Sequence, residues 1–298
     1  MSLTQLADNV ERGVSRKVTP QLLADKKRLR QPITALTAYD YPTARLIDES
    51  GIDMILVGDS VAMAVLGYDS TLPLTVDEML HHAKAVRRGC RNSFLVVDMP
   101  YGSYHCGSED ALRNALRFVK EAGAEAVKIE GGAERAALVE QLTLAKIPVV
   151  GHIGLTPQSL NLMGGYKVQG KTVAAIDRLL EDAAALEGAG AVALVLEGVP
   201  REVAARITAA ASIPTIGIGA GPECDGQILV FHDIFELTFL HRAKFVRSFG
   251  SAGDLVRSGL RHFREAVAAR TFPSDSESYH LSSGVRAEFE HPPIPAGK

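Results

Sequence analysis

Little in this sequence points to a charged or membranous partner. The chain carries 32 basic and 35 acidic side chains among 298 residues, a formal net charge of −3. With neither sign in excess, it lacks the electrostatic footprint of a nucleic-acid or membrane-surface binder. No apolar run approaches the roughly 18 residues of a membrane-spanning helix. Met1 to Arg30 is polar and has no apolar core, so no signal peptide is expected. Cysteine is scarce: Cys90, Cys106 and Cys224 stand far apart and are odd in number. They offer neither zinc-ligand spacing nor a disulfide framework. The expected compartment is reducing and cytoplasmic.

What is present is a repeated pattern. Met54-Ile55-Leu56-Val57 runs through Gly58 into Asp59 and Ser60. Phe94–Val97 runs into Asp98, Ala126–Ile129 into Glu130, and Ala193–Leu196 into Glu197. A short continuous apolar run suits a strand buried on both faces. An acid at the end of one such strand is readily a helix cap, whereas four point to a shared site.

Strands are expected near residues 33–38, 54–57, 94–97, 126–129, 148–151, 192–196, 215–218 and 244–246. Helices fit residues 42–50, 76–88, 108–122, 134–144, 173–187, 201–210 and 226–237, with a final one over 253–269. Thr19-Pro20 reads as an N-cap followed by Pro at the first helical position. It opens a short helix, to about Leu29, that lies outside this rhythm and is suited to plug one end of the fold. The run Gln227–Phe231 could pass for the eighth strand. It would leave only Gly219–Gly226 to cross from strand seven, and a parallel crossover is expected to need about a dozen residues. The eighth strand is therefore placed at Lys244-Phe245-Val246.

Eight βα units in roughly 250 residues predict an α/β fold, a (β/α)8 TIM barrel. A doubly wound sheet is the alternative. The polar residues favour the barrel, because Asp59, Asp98, Glu130, His152 and Glu197 end five successive strands. A closed barrel brings all five to one mouth, while an open sheet gathers a site at a single switch point. The expected organisation is an N-terminal extension over residues 1–17, one barrel domain over 18–272, and a tail over 273–298 whose end is disordered. Two long connections, 60–75 and 153–172, leave the functional face. The second contains Gly164, Gly165 and Gly170 and is expected to act as a mobile lid.

Asp59, Asp98 and Glu130 are the candidate metal site. Hard oxygen donors without Cys or paired His nearby select Mg²⁺ or a similar ion. The alternative for each acid is a helix N-cap, a duty that Asp performs well and Glu poorly. Lys128 lies two residues before Glu130, so both point to the same side of the strand. A lysine inside a barrel needs charged partners, either these carboxylates or an anionic substrate. Glu197 could be a fourth ligand or a proton-transfer base, since a buried carboxylate can titrate nearer neutrality. His152 is the competing base or a hydrogen-bonded support. Gly217-Ile218-Gly219-Ala220-Gly221 is a weak phosphate-loop candidate. Asp40 and Asp69 read as cap or turn residues, and His81-His82 as solvated.

Longer stretches carry a resemblance. They are Thr37-Ala38-Tyr39-Asp40-Tyr41, Leu56–Ser60, Val127–Gly132, Gly151–Ser159, Gly164–Gly170 and Ile216–Gly221. Over about Val18 to His280 the chain resembles the ketopantoate hydroxymethyltransferase family. The resemblance implies a barrel of the phosphoenolpyruvate/pyruvate type and a Mg²⁺-dependent step of pantothenate biosynthesis. In it a hydroxymethyl group passes from 5,10-methylenetetrahydrofolate to 3-methyl-2-oxobutanoate. It implies Asp59, Asp98 and Glu130 as metal-site acids, with Asp59, Ser60, Asp98 and Lys128 on the oxoacid side. Glu197 is implied as the proton acceptor, and a homodecamer as the assembly. Glu236–Arg242 and the stretch after Leu281 match no family motif, which leaves the folate-side residues unassigned. Two rivals stay open: another Mg²⁺-dependent 2-oxoacid lyase or mutase on the same barrel, and an inactive barrel serving as a binding or assembly module.

Overall fold

The structure is a computed structural model that describes residues 16–239 and 242–290. Most of the expected N-terminal extension and the expected disordered end of the tail fall outside the described residues. The chain divides into two compact units, one up to Phe249 and one from Gly250. In the second, Ala252–Ala268 is helical, as is Ser283–Glu290. Among the described residues no helix is long and apolar enough to cross a membrane.

Within the first unit eight parallel strands close into a barrel, each paired with its sequence neighbours and the eighth with the first. They are β1 (Ile33–Thr37), β2 (Met54–Val57), β3 (Phe94–Asp98), β4 (Ala126–Glu130), β5 (Val149–Gly154), β6 (Ala193–Glu197), β7 (Thr215–Ile218) and β8 (Gly226–Leu229). The helices used below are α1 (Pro20–Arg28), α2 (Tyr41–Glu49), α3 (Val76–Gly89), α4 (Ser108–Ala122), α5 (Ala136–Leu144), α6 (Val173–Gly188) and α7 (Arg201–Ala210). Their starts follow local chemistry. Thr19 caps α1, Asp40 caps α2 as expected, Thr75 and Glu78 form a capping box on α3, and Thr172 caps α6.

Two apolar clusters result from strand alternation. One lies between the strands and the surrounding helices, with Phe118, Leu142 and Ile207 among its members. The other fills the barrel interior, with Ile33, Met54, Phe94 and Val96. Leu23 and Val18, at and just before α1, belong to this interior cluster. α1 thus closes the N-terminal end of the barrel. Lys17, Lys26 and Lys27 fasten it there through ion pairs to Glu125, Asp53 and Asp225, which precede β4, β2 and β8.

The eighth strand corrects an expectation. It is the Gln227 run, and Lys244–Val246 forms a turn instead. The expected helix over 226–237 is reduced to one turn, Phe231–Ile234. The crossover argument assumed a helical layer over every strand. A four-residue strand rises only about 13 Å, and seven linking residues can reach about 23 Å. Residues 219–225 therefore return the chain to the start of β8 without a helix. Asp225 secures that return by accepting hydrogen bonds from Thr215 N (2.8 Å) and Oγ1 (3.0 Å) at the start of β7. Gln227 accordingly points outward and is exposed.

Candidate active site

Strand parity puts chemistry at the C-terminal mouth. In β3 the inward residues are Phe94, Val96 and then Asp98. In β4 they are Ala126, Lys128 and Glu130, and in β5 Val150 and His152. Apolar layers thus give way to an ionic layer at the top. Register then decides the neighbours. Asp98 pairs with Lys128 across β3–β4, and Glu130 with His152 across β4–β5. Asp59 and Ser60 enter just past β2, and Glu197 from the end of β6. All seven line one cavity of about 280 Å³. The expectation that Lys128 shares Glu130's face is met.

The charges stand in direct contact. Lys128 Nζ lies 2.9 Å from Asp98 Oδ1, 3.7 Å from Glu130 Oε1 and 3.0 Å from His152 Nδ1. His152 Nδ1 lies 3.3 Å from Glu130 Oε1, and its Nε2 3.3 Å from Glu197 Oε2. Asp98 Oδ2 accepts a hydrogen bond from the Asp59 amide at 2.9 Å. Asp59, Asp98, Lys128 and Glu130 are each at most 4% exposed. Three carboxylates against one ammonium leave two negative charges in excess, in a place where solvent screens little.

That imbalance moves the protonation equilibria. Burial, then the Asp98 and Glu130 charges, push Asp59 up to about 8. Burial also raises Asp98, although Lys128 opposes it. At Glu130 burial is outweighed by His152, Lys128 and the Gln158 amide, which hold the carboxyl below its ordinary range. Lys128 is raised because its carboxylate partners outweigh the cost of burial. For His152, burial and Lys128 oppose protonation while Glu130 and Glu197 favour it, a net pull to about 9. The contact with Lys128 argues for the other state. A charged ammonium 3.0 Å from Nδ1 favours a bare nitrogen there, while Glu130 Oε1 at 3.3 Å from the same atom favours N–H; in both states Nε2 carries the proton that faces Glu197.

None of the three acids serves as a helix cap. Thr75 caps α3, and no side chain caps α4 or α5. Among the described residues no group of three His, Cys, Asp or Glu side chains stands ready as placed to hold an ion. Lys128 contacts two of the acids directly. The donor set still fits a hard divalent cation. Asp98 Oδ1 and Glu130 Oε1 are buried oxygen donors that face Lys128 and His152, and the excess negative charge matches such an ion.

The structure adds residues that the sequence reading left without a role. Tyr39, buried just past β1, shares a 2.7 Å hydrogen bond with Ser60 Oγ. Gln158, on the turn Pro157–Ser159, reaches Asp59 and Glu130. Tyr104 meets Gln158 Oε1 at 2.5 Å. A Pro-Gln pair directly after the His152 strand was the available signal for Gln158. Leu155, Pro157 and Tyr166 of the expected lid line the cavity, opposite Leu56, Val195 and Ile228.

Other candidates resolve differently. A Cβ on Gly219 would stand 2.5 Å from the Phe245 ring, and one on Gly221 would stand 2.4 Å from Arg201, so close packing accounts for both glycines. The loop then turns into β8 rather than into a helix N-terminus. His81 is exposed, but His82 Nδ1 bonds the Tyr39 carbonyl at 2.7 Å. Asp69 lies in an exposed bend.

Known proteins resemble this chain over most of its length. The sequence model of ketopantoate hydroxymethyltransferase matches residues 17–275. The chain is 63% identical to the 3-methyl-2-oxobutanoate hydroxymethyltransferase of Koribacter versatilis (strain Ellin345), over 92% of this chain and 93% of that protein. The chain belongs to the ketopantoate hydroxymethyltransferase family. A relative of the same name from Syntrophomonas wolfei is 50% identical, covering 90% of this chain and 98% of that one. Among solved structures, phosphonopyruvate hydrolase matches with a TM-score of 0.54 at 13% identity, over 92% of this chain and 95% of that one. The triclinic form of 2,3-dimethylmalate lyase also matches at 0.54, with 17% identity over 91% and 94%. At such identities the likeness shows the barrel fold that this ketopantoate hydroxymethyltransferase family member shares with them.

Proposed function

We propose that the chain transfers a hydroxymethyl group from 5,10-methylenetetrahydrofolate to 3-methyl-2-oxobutanoate in a Mg²⁺-dependent reaction. One water is consumed, and tetrahydrofolate and 2-dehydropantoate are the products. The supporting observation is the family match over residues 17–275, within which the buried acidic layer lies. The same reading makes the chain a cytoplasmic homo-oligomer of pantothenate biosynthesis.

In this reading Asp59 and Asp98 would hold the ion, with Glu130 beside them. A bound Mg²⁺ supplies Lewis acidity towards the oxoacid's keto oxygen. Lys128 offsets the negative charge of the substrate. Ser60, oriented by the Tyr39 hydroxyl, hydrogen-bonds the substrate carboxylate. The branched tail packs on Leu56, Val195 and Ile228. Glu197 accepts the C3 proton, and the carbon so released forms the new bond to the one-carbon unit. His152 Nε2–H steadies Glu197 from 3.3 Å. The connection bearing Tyr166 closes over the mouth as a lid.

The test is product formation followed by NMR with the purified chain, the oxoacid and 5,10-methylenetetrahydrofolate. Turnover that requires the folate and is abolished by EDTA is expected. Turnover of a 2-oxoacid without folate would overturn the reading in favour of a lyase or mutase. Absence of any turnover with Mg²⁺ and both substrates would favour a binding module.

A further inference from the structure

Gln158 spends almost its whole hydrogen-bonding capacity on the acidic layer. Its side-chain Nε2 donates to Asp59 Oδ2 at 2.9 Å and to the Met99 carbonyl at 3.0 Å. Its backbone N–H donates to Glu130 Oε2 at 3.0 Å. Its Oε1 accepts from the Tyr104 hydroxyl at 2.5 Å, and that hydroxyl accepts from the Glu130 amide at 3.3 Å. Gln158 is 6% exposed and Tyr104 3% exposed. The amide has one sensible orientation. Reversed, it would set its oxygen against a carboxylate and a carbonyl, both of which only accept. One residue, through its side chain and its backbone N–H, therefore ties together the end of β2, the exit of β3, the end of β4 and the turn after β5.

The consequence concerns the second oxygen of each carboxylate. A carboxylate torsion is broad and has no strong preference of its own. Gln158 pins Asp59 and Glu130 through one oxygen each, and the Asp59 amide does the same for Asp98. The second oxygens of Asp98 and Glu130 are left facing the Lys128 ammonium in the cavity, at 2.9 and 3.7 Å. Groups that orient ligands in this way commonly govern metal affinity by 10–100-fold.

We propose that Gln158, itself oriented by Tyr104, is a positioning residue that aligns Asp59 and Glu130 for a divalent cation. The inference rests on the metal reading given above. Gln158→Leu removes the side-chain donor to Asp59 and the acceptor for Tyr104 but keeps the bulk. Tyr104→Phe is the milder variant, losing only the hydroxyl. The probe is Mn²⁺, titrated into the full-length protein and followed by electron paramagnetic resonance, with a thermal melt in EDTA as the control for folding. We expect Mn²⁺ affinity to fall by roughly 10–100-fold in Gln158→Leu. In Tyr104→Phe, where Gln158 keeps its side-chain donor to Asp59, it falls less. If wild type binds Mn²⁺ and both variants bind it equally well, the positioning role is overturned while the metal reading stands. A lowered melt in EDTA with unchanged Mn²⁺ affinity overturns it too, leaving Gln158 a packing residue. If wild type itself binds no Mn²⁺, the metal reading fails and this inference fails with it.

Discussion

Asp59 faces two other carboxylates in a site where solvent screens little, so its ionised form opposes folding. A carboxyl group raised to about 8 in the folded chain binds protons more tightly there than when unfolded, where its value is near 3.9. Stability must then fall as pH rises from about 4 through about 8. Asn at this position keeps an acceptor for Gln158 and removes the charge. In EDTA, Asp59→Asn is expected to melt higher than wild type, with the larger gain at pH 9 than at pH 6. With metal and substrates present, the same variant loses turnover. A melt no higher than wild type at pH 9 would remove the argument from charge. Glu197 presents the opposite case, since its side chain is 16% exposed at the cavity and it contacts His152 alone among the site's charges described above. Glu197→Gln should slow deuterium exchange at C3 of 3-methyl-2-oxobutanoate by about 10²–10⁴-fold, with Mn²⁺ affinity unchanged. Wild-type exchange in that variant would move the base to His152. Lost affinity that excess metal restores would make Glu197 a ligand.

At the scale of elements, the closing seam between β8 and β1 carries a tight backbone approach. An added Cβ on Gly226 would lie 2.5 Å from Ile33 O and 2.7 Å from Ile33 Cβ. Neither backbone can move without breaking the pairing of Ile33 with Gly226. Gly226→Ala is expected to destabilise the chain by about 1–3 kcal/mol, the usual cost of overpacking, as read from urea unfolding. Gly51→Ala is a useful contrast. Its Cβ would meet nothing within 4 Å, so its cost comes from the φ of +75° alone. Equal stability of Gly226→Ala and wild type would mean that the seam is looser than drawn. The same seam explains why β8 was hard to place. Gln227–Phe231 reads equally as strand or as helix, and the length rule decided wrongly because β7 and β8 have four residues each. Six of the other seven strands, all but β1, were legible because an apolar run ended by an acid or a glycine is a local signal.

At the scale of the whole molecule, several large apolar side chains stand exposed on the protomer. Phe239 is 94% exposed, Leu144 69% and Leu162 90%. Near Phe239 in the chain, Phe235 packs its ring 4.8 Å from that of Phe231, and Leu240 lies outside the described residues. The family reading leads to the expectation of a closed symmetric homo-oligomer. Light scattering at micromolar concentration should give a mass several times 31.9 kDa. A monomer under those conditions would overturn the expectation.

The chain's own pattern determined the barrel class, seven of its eight strands, its main helices and the five polar residues at strand ends. These rest on local facts: runs of apolar residues, caps, and the two-residue period that puts Lys128 on the face of Glu130. Only the tertiary structure decided which charges meet. Asp98 stands beside Lys128, and Glu130 beside His152, because parallel register matches positions 30 and 22 residues apart. Gln158 reaches Asp59 across 99 residues of chain. No periodicity records a contact of that span, because strand closure and loop path, set by packing of the whole, bring the two together.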